Sequence, residues 1–563
     1  MKENKKQWIK PLMLISILLI LIPPVLADSF RENNIMNDNP SEQMTNYSPG
    51  EIIDITFSNN YPAIGEPVII QITFQGNPRG RRFTETLTVI DEFEGIIIQS
   101  FTADHHQGIV EIFEKEIRIG RLPQYITVMR WYPVIAGNHS LQFRMGSFPT
   151  QIKNISVSYS VDTIIFPSIG CPSIIIREHT DTLTLVVSEK RKINDNPLEI
   201  NTCILSPIND SSSYILDNQN IEYQTWIAVN EHSVADIAIL SYNISTVPYG
   251  FYGITITTKK DTYTWSHAVQ IRESEPDSFR FVQLSDIHIG KVYSMINEKQ
   301  KLIEIFTYIN NEIQPDFVVL SGDVIDWYNK NRIRNVYNNA QEAIQYSNSP
   351  VFIVPGNHER YERRLLFFYY PYFDISYYHR YLNPINDYAW EYAGVNFIFL
   401  DSGYDYSRWE IKPDFWNQTP EGSGLTNTQM YLLTDIFGSN SLNQIIIMHH
   451  PSVNDRNDSG LFSVPNTLPS GNDECIVFNR AEFIEYCINT NVMLVLSGHT
   501  HQNKILDYKG KPPSNCFDWP VFVQTDSAIL NRNFLGGRVI HIDQGIVTNY
   551  DFVALSSDFL ALT

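Results

Sequence analysis

The sequence reads Ser285-Asp286-Ile287-His288 directly after an apolar run, and four similar polar motifs follow before residue 502. These are Gly322-Asp323, Gly356-Asn357-His358-Glu359, His449-His450-Pro451 and Gly498-His499-Thr500-His501. Carboxylate, imidazole and amide side chains are ligands of divalent transition metals. Because the five motifs together carry enough of these groups for two ions, the sequence predicts a site for a pair of metals.

The stretch around the motifs predicts alternating strands and helices. Strand-like apolar runs occupy 279–284, 317–320, 351–354, 397–400, 445–448 and 493–496. Apolar residues at helical spacing over 295–309, and a Thr426 cap for a run ending at Phe437, indicate helices. This alternation is typical of an α/β structure with a largely buried sheet. Since each motif follows the end of a strand, we expect all five to meet in one crevice.

The motifs supply different kinds of ligand. Asp286 and His288, two residues apart, can point toward one ion, and the glycine before Asp323 allows its two oxygens to reach two ions. Single ligand atoms come from Asn357, His449, His499 and His501. Two ions about 4 Å apart would hold a bridging hydroxide for in-line attack on phosphorus. His358 lies beside a ligand and could protonate the leaving oxygen.

These residues in this order resemble the calcineurin-like metallophosphoesterase superfamily over residues 279–551. The resemblance implies an α/β four-layer (αββα) domain at 276–555, in which helices flank two mixed sheets. It also implies two divalent ions, which could be Mn, Fe or Zn. The implied ligands of one ion are Asp286, His288, Asp323 and His501. Those of the other are Asp323, Asn357, His449 and His499.

The resemblance assigns further roles. It makes His358 the general acid or a hydrogen-bond donor to the transition state, and it selects His449 rather than its neighbour as a ligand. It also implies that His450, Asp401 and Ser402 support the ligands. From their places in or beside the motifs, Glu359, Asp326 and Arg360 are further candidates to support the ligands or contact substrate. His379 and His541 are interpreted as structural.

One position separates branches of the superfamily. Purple acid phosphatases carry a tyrosine ligand three residues after the bridging aspartate, where this chain has Asp326. A charge-transfer iron site is therefore not expected. Residues 322–326 look more like the bacterial cyclic-nucleotide and glycerophosphodiester phosphodiesterases. The substrate stays open among monoesters, diesters, nucleotides and lipid headgroups.

The preceding part of the chain has the two-residue periodicity of half-buried strands. Alternating apolar residues are Val68, Ile70, Ile72 and Phe74, and further strand runs lie at 84–90, 95–101, 110–119, 124–129, 140–145 and 152–159. Short, evenly spaced strands with Gly and Pro between them predict an all-β sandwich at 51–160 that loosely resembles immunoglobulin-like modules. A second such sandwich is predicted at 161–275. The histidines of both units lack ligand spacing and are interpreted as surface or packing residues.

Composition indicates an exported, globular, multidomain protein. The 563 residues exceed one core, and a net charge of -21 argues against a nucleic-acid polymer as partner. Basic residues before the apolar run 12–22, followed by Val25-Leu26-Ala27, predict a signal peptide at 1–27, with an uncleaved membrane anchor as the alternative. Residues 28–50 are Asn-rich and predict a flexible linker. We expect a secreted or cell-surface protein whose β domains associate with the surface.

The five cysteines are too few to form a disulfide framework. Cys171 could pair with Cys203, and Cys475 with Cys516, while Cys487 is interpreted as a buried thiol. Residues 361–381 are dense in aromatic side chains. This segment could roof the site and contact a base, sugar or headgroup, or it could pack as a small core of its own.

Three functions follow from these observations. The leading one is an exported metallophosphoesterase acting on a small phosphoester. The alternative is a surface adhesion or carbohydrate-binding protein with a non-catalytic phosphoesterase-like scaffold, which the seven intact ligand positions argue against. A mononuclear hydrolase of amides would often use an HExxH helix, which the sequence lacks.

Overall fold

The computed structural model describes residues 51–66, 68–75, 87–93, 96–102, 115–119, 122–131, 133–145, 147–217, 220–291, 297–326, 332–363, 372–403, 406–407, 420–421, 424–439, 442–455, 475–476, 479–515, 517–529 and 535–555. The predicted signal peptide and linker, residues 1–50, lie outside the described residues. So do Cys516 and residues 364–371 of the aromatic segment. Residues 51–160 are the first β region, residues 161–275 the second β region and residues 276–555 the C-terminal region.

The first β region contains two antiparallel four-stranded sheets. Its strands are β1 (Ile52–Phe57), β2 (Val68–Gln75), β3 (Leu87–Phe93), β4 (Ile96–Thr102), β5 (Lys115–Ile119), β6 (Leu122–Trp131), β7 (Gly137–Met145) and β8 (Gln151–Val157). The strand orders are β1-β2-β6-β5 and β4-β3-β7-β8. Val68, Ile70, Ile72 and Phe74 of β2 are all buried, which is the face that the alternation predicts.

The second β region also contains two sheets. Its strands are β9 (Thr163–Phe166), β10 (Ser173–Ile176), β11 (Thr182–Lys192), β12 (Ile200–Pro207), β13 (Tyr214–Ile215), β14 (Asn220–Asn230), β15 (Ser233–Asn243), β16 (Gly250–Thr258) and β17 (Thr262–Arg272). The orders are β10-β17-β16-β12-β13 and β14-β15-β11-β9, and β10 pairs parallel to β17. Leu185, Leu205, Leu240 and Ile254 are fully buried in its core.

The C-terminal region is built on two mixed sheets. Its strands are β18 (Ser278–Leu284), β19 (Phe317–Ser321), β20 (Val351–Val354), β21 (Tyr361–Arg363), β22 (Tyr372–Asp374), β23 (Tyr388–Tyr392), β24 (Val395–Phe399), β25 (Tyr406–Ser407), β26 (Pro420–Glu421), β27 (Asn443–Ile447), β28 (Val492–Ser497), β29 (Lys504–Leu506), β30 (Val521–Gln524), β31 (Gly536–Asp543) and β32 (Ile546–Ala554). The first sheet has the order β20-β19-β18-β31-β32, and the second β23-β24-β27-β28-β30-β29. Strands β18, β19 and β20 pair parallel, as do β24, β27, β28 and β30. All six predicted strand runs of this region coincide with one of these strands.

Helices cover the outer sides of the two sheets. They are α1 (Glu298–Tyr308), α2 (Ile333–Ile344), α3 (Ser376–Tyr381), α4 (Asn427–Tyr431) and α5 (Arg480–Asn489), and π-helical turns at Ile309–Ile313 and Leu432–Phe437 extend α1 and α4. Thr426 caps α4, as predicted, by accepting a hydrogen bond from the Gln429 N–H. Between the sheets, Phe281 lies 4.9 Å from Phe317 and 5.5 Å from Phe397, measured between ring centroids. The residues next to them in each strand face the opposite side of the sheet. Val282, for example, packs against α1.

Polar contacts join both β regions to the C-terminal region. Arg272, the last residue of β17, pairs with Asp316, which also accepts a hydrogen bond from the Tyr392 hydroxyl at 3.0 Å. Ser160 bonds to Nδ1 of the buried His379 at 2.6 Å. His379 therefore has the structural role predicted for it.

The predicted Cys171–Cys203 disulfide is wrong, since both cysteines are free thiols. Cys203 lies on β12 in the core of the second β region, whereas Cys171 follows a turn that enters the C-terminal region. Burial raises the pKa of the Cys203 thiol to about 12. Cys487 is buried on α5, as predicted. Within the described residues, no helix combines the length and apolarity needed to cross a membrane.

Candidate metal centre

All five polar motifs lie at the carboxyl ends of strands of the two sheets. In the first sheet, β18 leads to Asp286, β19 to Asp323 and β20 to Asn357; in the second, β27 leads to His449 and β28 to His499. The carboxyl ends of parallel neighbours lie at the same edge of a sheet, and the two sheets pack face to face. The expected single crevice is therefore present.

One group of ligand atoms surrounds Asp286. The Nε2 atoms of His288 and His501 are 3.1 Å apart, and Nε2 of His501 lies 3.2 Å from Oδ1 of Asp286. This carboxylate oxygen is buried and accepts no hydrogen bond of good geometry from the described residues, because Nε2 of His501 is close but is not aligned as a donor. A buried carboxylate oxygen without a donor is costly, and a divalent cation would supply the missing partner. The residues therefore fit a metal ion at this position.

A second group surrounds His449. Its Nε2 lies 3.0 Å from Oδ1 of Asn357 and 3.3 Å from Oδ2 of Asp323. Its Nδ1 is 2.8 Å from the Ser321 carbonyl, so Nδ1 carries a proton and Nε2 is the ring atom that faces the other two groups. The His499 ring lies 5.2 Å from the His449 ring. A metal-binding histidine usually has its other ring nitrogen held by a hydrogen bond, and the Ser321 carbonyl provides that bond for His449.

Asp323 lies between the two groups. Its Oδ2 is 3.3 Å from Nε2 of His449 and 3.8 Å from Nε2 of His288. His450, in contrast, directs Nδ1 to the Ser402 hydroxyl at 2.8 Å and packs its ring 4.3 Å from that of His499. The geometry thus places His449 next to the shared carboxylate and His450 behind it.

The backbone of the ligand loops is unusual. Five of the predicted ligand residues, none of them glycine, have positive φ angles of 50–67°: Asp286, His288, Asp323, His499 and His501. Such left-handed conformations cost of order 1–3 kcal/mol each and persist only where the surroundings enforce them. Gly322 has a φ of +91°, and a Cβ there would lie 2.4 Å from Nδ1 of His449. Glycine is therefore required for the close approach of β19 to the second sheet.

Glu359 and Arg360 form hydrogen bonds with the backbone of the loops that carry the predicted ligands. The Glu359 carboxylate is buried and accepts hydrogen bonds from the backbone N–H groups of Asp323, Val324, Ile325 and Gly356. Arg360 is only 5% exposed; it pairs with Asp401 and donates to the carbonyls of Gly356 and Gly403. Both side chains are thus engaged with protein groups, and their contacts indicate loop positioning instead of substrate binding.

His358 faces the crevice beside the ligands. Its Nδ1 is 2.8 Å from Oδ1 of Asp326, and its Nε2 is 3.7 Å from Oδ2 of Asp323. Asp326 is thus paired with His358, and Nε2 is the ring atom directed toward the ligand groups.

Negative charge dominates the electrostatics of the site. Burial opposes protonation of His358 and His449, but nearby acceptors together outweigh it. Asp323 and Asp326 raise the pKa of His358 to about 9, and Asp323, Asp286 and the Ser321 carbonyl raise that of His449 to about 10. Burial raises the pKa of Glu359 to about 7, with Asp323 acting in the same direction. The same carboxylate charge that attracts protons to these histidines attracts divalent cations.

Sequence reasoning missed the polar residues beneath the ligands. Gln283 is fully buried on β18 and donates to Oγ of Ser321 at 2.9 Å and to the Ser497 carbonyl at 3.2 Å, which links the two sheets. Ser527 donates to the Asp286 carbonyl at 2.6 Å. A glutamine inside the apolar run 279–284 was the available signal for Gln283. Nothing in the sequence near Ser527 indicates its contact.

Residues 279–503 match the family model of calcineurin-like phosphoesterases. The C-terminal region of this chain is therefore similar to the metallophosphoesterases, a class of phosphoric ester hydrolases.

Three relatives match part of this chain. The chain is 32% identical over 84 residues to an uncharacterized metallophosphoesterase-like protein, YydB, of Bacillus subtilis (14% of this chain, 17% of that protein). It is 33% identical over 86 residues to a probable glycerophosphodiester phosphodiesterase, GpdQ, of Arcobacter nitrofigilis (14% and 30%). It is 23% identical over 257 residues to a probable cyclic nucleotide phosphodiesterase of Coxiella burnetii (43% and 86%). The chain thus spans less than a third of the length of the first two relatives.

Solved structures match with low overall similarity. A purple acid phosphatase, PPD1, from yellow lupin aligns with 89% of this chain and 95% of its own, at 10% identity and a TM-score of 0.38. Tandem immunoglobulin domains A164–A165 of titin align with 39% of this chain and 97% of their own, at 12% identity and a TM-score of 0.19.

Proposed function

We propose that this chain is an exported, dinuclear metal-dependent phosphoesterase that hydrolyses a phosphomonoester or phosphodiester. The observation that carries the proposal is the position of Asp323 between two ligand groups, with His358 beside it. One ion would be held by Asp286, His288, Asp323 and His501, and the other by Asp323, Asn357, His449 and His499. When bound, two divalent ions of Mn, Fe or Zn would stabilise charge on a phosphoryl group and acidify a water for in-line attack.

The protein side chains would orient and protonate the reacting groups. Asp326 accepts the Nδ1 proton of His358, which leaves Nε2 facing the crevice. A proton held on Nε2 can pass to the leaving oxygen as the ester bond breaks. Ser321 holds His449 in the tautomer whose Nε2 is a ligand.

A small substrate agrees with the electrostatics of the chain. The net charge of -21 disfavours nucleic-acid polymers, whereas a small anionic ester can be held by the metals themselves. Two relatives are named as phosphodiesterases, of glycerophosphodiesters and of cyclic nucleotides, which supports a diester as substrate.

The remaining architecture belongs to the same proposal. We propose that each β region is an immunoglobulin-like sandwich, that the C-terminal region has four layers, and that residues 1–27 direct export to the cell surface or the medium. The paired sheets of each region support the first two statements, and the basic and apolar N-terminal sequence supports the third.

The proposal is tested by comparing hydrolysis of bis(4-nitrophenyl) phosphate and 4-nitrophenyl phosphate with added manganese. We expect at least one ester to be cleaved and two metal equivalents to be present by elemental analysis. His358→Asn should keep both metals and lower kcat about 10²- to 10⁴-fold, because it removes only the proton donor. Two bound metals without cleavage of either ester would favour the scaffold alternative.

A further inference from the structure

The turn that follows β9, residues 167–171, is buried although it joins two strands. Ile169 is fully buried and Cys171 is 1% exposed. The turn is closed by hydrogen bonds from the Ser168 N–H to the Cys171 carbonyl and from the Cys171 N–H to Oγ of Ser168, both 3.0 Å long. Buried peptide groups need partners, and loops are usually exposed for that reason. The partners of Gly170 in this turn come from the C-terminal region.

Gly170 makes four hydrogen bonds across the boundary. Its N–H donates to the Leu382 carbonyl at 3.0 Å. Its carbonyl accepts from the Ile353 N–H at 2.8 Å, from Nδ2 of Asn383 at 3.3 Å and from the Tyr388 hydroxyl at 3.3 Å. Asn383 and Tyr388 also reach the Ile353 carbonyl, at 3.2 and 3.0 Å. The N–H and the carbonyl of Ile353 therefore both form hydrogen bonds within this cluster.

The contact leaves no room for a side chain. A Cβ at position 170 would lie 2.8 Å from the Leu382 carbonyl oxygen and 2.9 Å from Cβ of Asn383. Gly170 is not among the residues with positive φ. Lack of space, and not backbone conformation, is therefore the reason for glycine here.

Ile353 connects this contact to the metal centre. It belongs to β20, the edge strand of the first sheet, which pairs with β19 on its other side. Asn357 and His358 follow within five residues. The segment between Ile353 and Asn357 is tightly packed, since a Cβ on Gly356 would lie 2.2 Å from Oδ1 of Asp323. A displacement of Ile353 would thus move Asn357 and His358 relative to Asp323.

We infer that Gly170 is a positioning residue for the metal centre: the second β region completes the edge of β20 and so holds Asn357 and His358 against Asp323. The C-terminal region would then require the second β region for correct metal binding. This inference deepens the proposed function, on which its activity readout rests, while its metal-binding readout stands without it.

The test is Gly170→Ala in the full chain, loaded with manganese. The ion proposed to bind Asp323, Asn357, His449 and His499 is called the second Mn²⁺. We expect the affinity for it to fall at least about 10-fold and kcat to fall about 10- to 100-fold, as for residues that orient ligands. KM should change little, because the substrate contacts remain. Metal affinity is measured by titration with elemental analysis, and the electron paramagnetic resonance signal of the coupled Mn²⁺ pair reports the loss of the second ion.

Gly253→Ala is the matched control. A Cβ at that position on β16 would lie 3.1 Å from the Trp265 carbonyl oxygen, and its other near neighbours, Ser266 and Ser206, also belong to the second β region. This variant should lose thermal stability but keep both manganese ions and wild-type kcat. Equal effects of the two substitutions on metal affinity would overturn the inference.

Tyr388→Phe is used if Gly170→Ala does not fold. It removes only the hydroxyl that bonds to Gly170 and Ile353. Because the other contacts of the cluster remain, we expect the affinity for the second Mn²⁺ to fall only about 2- to 10-fold. Wild-type manganese affinity in this variant would overturn the inference. If the wild-type chain binds two ions but cleaves no ester, the proposed function fails while these affinities still decide the role of Gly170.

Discussion

Two buried clusters of histidine and aspartate in this molecule have opposite characters. In the first β region, His139 is bonded through Nδ1 to Asp91 at 2.9 Å and through Nε2 to the Ile135 carbonyl at 3.0 Å, and Nε1 of Trp131 donates to Asp91 at 3.1 Å. In the metal centre, Oδ1 of Asp286 has no hydrogen-bond partner among the described residues, and its neighbouring imidazoles direct nitrogens toward each other. Both clusters contain buried histidine and aspartate, so residue type does not distinguish them. They differ in the hydrogen bonding of the carboxylate, which is incomplete only at Oδ1 of Asp286.

The backbone differs in the same way. His139 is part of the regular strand β7, whereas the ligands follow strand ends and five of them have positive φ. Strain of this kind is found where function requires a particular arrangement of side chains. The first cluster therefore serves stability, and the second accepts a cost in stability to place ligands.

The largest expected effect comes from Asp323→Asn. Losing the shared carboxylate should release at least one metal and lower kcat about 10⁴-fold, since several kcal/mol of transition-state stabilisation depend on the metals. Metal content and hydrolysis of bis(4-nitrophenyl) phosphate are the measurements. Asp91→Asn, the same chemical change in the other cluster, should leave both quantities unaltered. A similar loss of activity in the two variants would erase the distinction between the clusters.

A smaller effect is expected from Glu359→Gln. The glutamine keeps one acceptor oxygen but places an NH₂ group against backbone N–H donors, which include those of Asp323 and Gly356. The loops should separate, and kcat and the affinity for the second metal should each fall about 10- to 100-fold. Wild-type metal affinity with reduced kcat would contradict the positioning role and restore a direct role for Glu359 at the substrate.

The sequence predicted the parts of the C-terminal region that local patterns determine. Each apolar run before a motif is a strand, and Thr426 caps its helix. Both features were predictable because each depends on residues that are neighbours in the sequence. Convergence of Asp286, Asn357 and His449 followed from the rule for strand ends.

Long-range contacts were not predictable in this way. The antiparallel strands β31 and β32 complete the first sheet, and the Gly170 turn contacts β20 more than 180 residues later. Arg360, proposed near the substrate from its place beside a motif, is buried against Asp401. The disulfide proposed for Cys171 failed because spacing along the chain does not show which region a turn enters.

The smallest effect concerns stability and its dependence on pH. Burial alone would lower the pKa of His139, but the Asp91 charge and hydrogen bond raise it above 6.5. A raised pKa in the folded state adds stability that is fully present below the pKa of the unfolded chain, about 6.5, and is lost as pH rises through the folded value. Asp91→Asn removes the charge that stabilises the imidazolium. Its free energy of unfolding should be about 1–3 kcal/mol below that of the wild type near pH 5.5, with the difference shrinking as pH rises through the folded pKa of His139. Urea unfolding of both proteins across this range measures it, and a difference that grew with pH would show that the Asp91 charge does not stabilise protonated His139.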